Sequence, residues 1–77
     1  MSMFPSESFV KRIKQEFPVG TRIRLIRMND DPTPVPPDTK GTVIYVDDIG
    51  SIGMSWDNGQ SLSLIPGTDE YEKITEN

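Results

Sequence analysis

A small, mainly β barrel with an amphipathic helix at its N-terminal end is the fold this sequence predicts. Three observations predict it. From residue 21 onward, short apolar–polar alternations recur between bends containing Gly, Asp or Pro. One earlier stretch, SESFVKRIKQEF, carries its apolar residues at helical spacing instead. Apart from one long proline-rich loop, the remaining connections are too short to hold another long helix.

Residues 6–17 are the predicted helix. Phe9, Ile13 and Phe17 recur at i, i+4, i+8 with Val10 beside them, while Lys11, Arg12, Lys14 and Gln15 take the other face. Ser6 suits the N-cap and Pro18 ends the helix. So short a helix is marginal alone in water, so its phenylalanine stripe must pack on something. After Val19-Gly20 comes the first strand, TRIRLIRM (21–28), with Thr21, Ile23 and Leu25 on one face and Arg22 and Arg24 on the other. Ile26-Arg27 breaks the alternation and predicts a bulge. Residues 29–40, NDDPTPVPPDTK, form a long, stiff, acidic loop with four prolines. GTVIYV (41–46), SIGMSW (51–56) and QSLSLI (60–65) are further strands, separated by the bends DDIG and DNG. GTDE reads as a single helical turn, and YEKI (71–74) as the closing strand.

The stretch SWDNGQSLSLIPG resembles a ligand cradle, but register favours a turn. A two-residue Asn58-Gly59 loop sets Trp56 opposite Ser61 and Met54 opposite Ser63. A three-residue Asp57-Asn58-Gly59 loop sets Met54 opposite Leu62 and Ile52 opposite Leu64, building one apolar face. A one-residue slip would move every side chain to the other face, so the second register is expected, with Gly59 left-handed. Five strands, a long first loop and tight later bends then describe an SH3-like five-stranded barrel over residues 20–75. The whole of 1–77 reads as one domain. The rival OB-like barrel needs a helix between its third and fourth strands, where this chain has only the DNG bend.

Composition excludes more than it assigns. The 77 residues contain no Cys and no His. Disulfides, thiol nucleophiles, imidazole bases and the usual zinc sites are therefore out of reach. No paired-carboxylate, Ser/His/Asp or phosphate-cradling glycine motif is present, so neither an enzyme nor a cofactor is expected. The polar, proline-broken start MSMFPSESF does not read as a signal peptide, and apolar runs stay short, so a cytoplasmic protein without a membrane partner is expected.

Net charge is −4, unevenly spread. Residues 1–28 hold six basic residues against two acidic, and residues 29–77 hold two against ten. Such a pattern can orient a partner, or simply draw the two halves of one chain together, and the second is the plainer reading. Asp30, Asp31, Asp38, Asp47 and Asp48 on the loops, with Tyr45, are the candidate contacts for a partner protein. These aspartates do not match the spacing of a calcium loop, so no metal site is expected. Arg22, Arg24 and Arg27 are a candidate basic patch for weak RNA or DNA binding. No aromatics interleave with them and the chain is acidic overall, so nucleic acid is not the expected partner. Trp56 offers a ligand-stacking ring or, as the favoured reading, joins Ile52 and Met54 in the core, and Tyr45 either presents its phenol at the surface or covers Gly53 across the strands.

Six anchors in order, GTRIRLIRM, the Asp-Pro loop, TKGTV, VDDIG, WDNG and LIPG, resemble the domain-of-unknown-function family numbered forty-three fourteen over about residues 17–72. The resemblance implies a small module of Gram-positive bacteria and their mobile elements, with no established activity and no site residues to carry over. TKGTV is also distantly similar to a strand start in SH3-like modules. Asp38 stands where the resemblance expects glycine, and Gly53 where it often expects His. The expected function is a non-catalytic protein-interaction module that binds through the acidic loop 29–40 with the neighbouring bends at 47–50 and 67–70. The alternatives are an acidic inhibitor of a basic nucleic-acid cleft, or weak nucleic-acid binding through the arginine strand.

Overall fold

A computed structural model of the chain describes residues 6–29 and 32–75. One helix, α1 (Glu7–Glu16), precedes four antiparallel strands: β1 (Arg22–Arg27), β2 (Lys40–Val46), β3 (Ile52–Trp56) and β4 (Glu70–Ile74). They form one open sheet in the order β3-β2-β1-β4. The chain is mainly β as expected, but a closed barrel of five strands is not what the sheet forms. Segment 60–65, expected as a strand, meets β3 through one bridge, Ile52 with Leu64. Ladder bonds join Trp56 to Gln60 and Ile52 to Leu64. Between them the Leu62 carbonyl accepts the Trp56 indole N–H at 2.8 Å. A continuous ladder would use that carbonyl for a strand amide.

α1 begins where Ser6 adopts extended backbone and its Oγ accepts the Phe9 amide at 3.2 Å. It ends at Phe17, ahead of Pro18, which cannot continue a helix. Val10 and Ile13 are buried, and Phe9 and Phe17 pack against the core. Phe9 lies on Gly50, where an added Cβ would come within 2.9 Å of the ring. Phe17 meets Tyr71 of β4 edge-on, with centroids 5.7 Å apart, and Lys73 sits 5.3 Å from its ring. The helix thus packs beside β2, with Phe9 on the β2–β3 turn and Phe17, just past its end, against β4.

Alternation decides the two faces. Ile23 and Leu25 are fully buried, and the register sets Ile23 opposite Gly41 and Gly41 opposite Trp56. A Cβ on Gly41 would fall 2.7 Å from the Trp56 ring, so the missing side chain is what lets the indole lie across β2. Both inner strands are bulged. Ile26 is the extra residue between Leu25 and Arg27, where the sequence predicts it, and Ile44 is the extra one between Val43 and Tyr45.

The three-residue turn forms as its register requires. Gly59 has φ +93° and its amide donates to the Trp56 carbonyl at 3.0 Å. GTDE is a turn, not the expected helical turn: Gly67 takes φ +90°, the Thr68 and Asp69 amides both donate to the Ile65 carbonyl at 3.0 Å, and Pro66 forms a parallel bridge with Asp69. Asp38 takes φ 69°, the left-handed conformation that glycine would adopt more easily at that position.

Candidate functional site

The basic and acidic halves of the sequence meet on the outer face of the sheet. Arg22 donates to both carboxylate oxygens of Asp57, at 2.9 and 2.6 Å, and to Thr42 Oγ1 at 2.9 Å. Arg24 pairs with Glu72 at 2.7 Å and also with Asp38. Arg27 donates to Asn29 Oδ1 at 3.1 Å. The hydrogen bond from Arg22 holds the Asp57 carboxyl below its ordinary pKa, and the bond to Glu72 raises that of Arg24 further. Both pairs are solvent-exposed and contribute little stability each. Their consequence is that two of the three candidate patch arginines already hold carboxylates.

The candidate acidic residues do not gather at one place. Asp30 and Asp31 lie outside the described residues. Asp38 precedes β2 and points to Arg24, whereas Asp47 and Asp48 follow β2, whose seven residues span roughly 20 Å. Asp47 is spent on its own turn, where Oδ1 accepts the amides of Ile49 and Ser51 at 3.1 and 2.9 Å. Tyr45 is half exposed and lies over Gly53, the arrangement its spacing suggests. Trp56 is buried in the core. Among the described residues no group of three or more potential ligands could hold a metal ion, and no buried side-chain polar atom lacks a partner.

The proline-rich loop is held at several points. Asp69, a buried carboxylate that sequence reading missed, accepts the Asn29 amide on Oδ1 and the Ile65 amide on Oδ2, both at 2.9 Å. The Asn29 side chain donates to the Thr68 carbonyl. Val35 is 1% exposed in the core, and the Asp38 amide donates to Leu25 at 2.8 Å. Between these pins Pro32, Pro34, Pro36 and Pro37 face outward. The sequence signal for Asp69 was the acidic residue just after a Pro-Gly-Thr turn, a position from which a carboxylate reaches nearby amides.

A trough follows the seam between α1 and the end of β2. A groove of about 430 Å³ is lined by Glu7, Val10, Lys11, Lys14 and Asp48. A second, of about 300 Å³, is lined by Lys14, Phe17, Pro18, Val19, Tyr45 and Val46. Sequence reading placed Tyr45 and Asp48 on a contact surface but did not join them to the helix, because the pairing of α1 with β2 is a tertiary fact.

Among the described residues no helix is long and apolar enough to cross a membrane. A family model, Domain of unknown function (DUF4314), matches residues 6–74. No curated protein and no solved structure matches the chain.

Proposed function

The chain belongs to the DUF4314 family, and from that premise we propose that it is a non-catalytic protein-interaction module whose contact surface is the loop 29–40. The observation that supports this most is the anchoring of the loop: Val35 is buried while the prolines on both sides of it face solvent. A segment held in this way loses little entropy on binding. Its aspartates favour a basic partner, attracted at a rate that falls as salt rises. An acidic inhibitor of a nucleic-acid enzyme would use the same surface. Nucleic-acid binding through Arg22 and Arg24 has less support, since both guanidinium groups are engaged by carboxylates.

We read the fold as an SH3-like barrel whose fifth strand is reduced to the Leu64 bridge, and the setting as the cytoplasm of a bacterium or its mobile elements. The test pairs two variants, Asp30→Asn with Asp31→Asn and Arg22→Gln with Arg24→Gln. The partner is captured from the host, identified, purified and titrated against each. Weakened, less salt-sensitive binding by the aspartate variant alone is expected. Loss confined to the arginine variant overturns the assignment.

A further inference from the structure

The trough beside α1 is independent of the loop and carries its own chemistry. Glu7, Val10, Lys11, Lys14, Phe17 and Pro18 follow one another at i, i+3, i+4, i+7, i+10 and i+11, which is one continuous face running off the end of the helix. The opposite wall runs the other way, from Asp48 through Val46 to Tyr45. Lys14 lines both grooves and joins them. Val19 is 72% exposed and Tyr45 48% exposed, so the far end presents an apolar wall that no described element covers. Among the described residues Lys11, Arg12 and Lys14 enter no ion pair.

We propose that this trough binds an extended peptide segment of a partner protein, read by charge order. A large apolar side chain sits between Val19 and Tyr45. A carboxylate follows, facing Lys14 and Lys11, and then a cationic group faces Glu7 and Asp48. The spacing follows from the helix. Seven residues from Glu7 to Lys14 rise about 10 Å, which an extended strand covers in about three residues. Lys14 to the apolar end takes about two more. The recognised pattern is apolar-x-acidic-x-x-basic, in one chain direction or its reverse.

The probes are acetyl-Leu-Ala-Asp-Ala-Ala-Lys-amide, its reversed sequence, and the charge-swapped acetyl-Leu-Ala-Lys-Ala-Ala-Asp-amide with its own reverse. Each is titrated into isotope-labelled protein while backbone amide shifts are followed by NMR. One of the first pair is expected to move the amides of Lys14, Val19 and Tyr45, and to bind roughly five- to tenfold more tightly than either swapped peptide. Lys14→Glu, an exposed change that leaves the core untouched, is expected to erase or invert that preference. Equal binding of the swapped peptides, or shifts that map away from Tyr45 and Lys14, overturns the proposal. So does a shift pattern at the trough that grows with protein concentration alone, which would mark a second copy as the occupant. None of these outcomes depends on loop 29–40, so the two surfaces stand or fall separately.

Discussion

Gly53 and Tyr45 face each other across β3 and β2, and replacing the glycine tests how the outer surface is packed. A Cβ at Gly53 would come within 2.5 Å of Tyr45 Cδ2 and nearer still to two other ring atoms, so Gly53→Ala must push the ring aside. Tyr45 is 48% exposed, so about half of its surface is covered. Fully buried aromatics hide about 150–250 Å², and uncovering half of that re-exposes roughly 100 Å². At about 25 cal/mol per Å² this gives a ceiling near 2.5 kcal/mol. A ring that tilts without leaving the surface loses less, and about 1–2 kcal/mol is expected. In a Tyr45→Ala background the clash disappears. There the added methyl relieves the glycine penalty within a strand and stabilises by about 0.5–1 kcal/mol. The same substitution therefore changes sign between backgrounds, a coupling of about 1.5–3 kcal/mol. Urea melts of the four proteins measure it, and each kcal/mol corresponds to about 4–8 °C in Tm for a domain of this size. If Gly53→Ala has the same sign and size in both backgrounds, the ring does not rest on Gly53 and the reasoning fails.

Three further outcomes follow from the same geometry. A Cβ at Gly59 meets nothing within 4 Å, so the loss of over about 1 kcal/mol expected for Gly59→Val is assigned to the left-handed backbone, and Asp57→Ala should lose less in parallel thermal melts. Asp69→Ala strands the amides of Asn29 and Ile65 and should cost about 2–3 kcal/mol, with faster hydrogen exchange at both amides as the readout. Burial first, then Asp69 and Glu16, raise the Tyr71 phenol above its ordinary value. The folded state holds that proton more tightly, so the contribution is complete below about pH 10 and is lost as pH climbs through the folded pKa. Urea midpoints measured between about pH 9 and 11 should fall, and Tyr71→Phe should flatten that fall.

Features set by neighbours in the chain were legible in the sequence. Ser6 as cap, Pro18 as stop, the bulge at Ile26 and the Asp57-Asn58-Gly59 register all depend on a few adjacent residues and one apolar pattern. Features set at a distance were not. QSLSLI alternates like a strand, yet the Trp56 indole takes the Leu62 carbonyl, and nothing local in either segment announces that bond. Asp69 reads as one more surface carboxylate until Asn29, forty residues away, supplies an amide to it. The acidic candidates look like one cluster by composition, but the length of β2 separates Asp38 from Asp47 and Asp48. The plainer reading of the charge asymmetry is the one the fold realises, with Arg22 and Arg24 held by carboxylates from the later part of the chain. The trough was invisible for the same reason as Asp69: Lys14 and Tyr45 are neighbours only once the helix has packed beside β2.

The pins on the proline-rich loop divide labour between frame and variable content. Asn29 is fixed through Asp69, Val35 through the core and Asp38 through Leu25, so the ends of the intervening stretch are set by residues outside it. None of these three anchors lies between Asn29 and Val35. The side chains of the intervening positions can therefore be exchanged while the sheet keeps its register. Rewriting those five positions leaves the three anchors untouched, and a grafted sequence exchanged into them would inherit a ready-made mount.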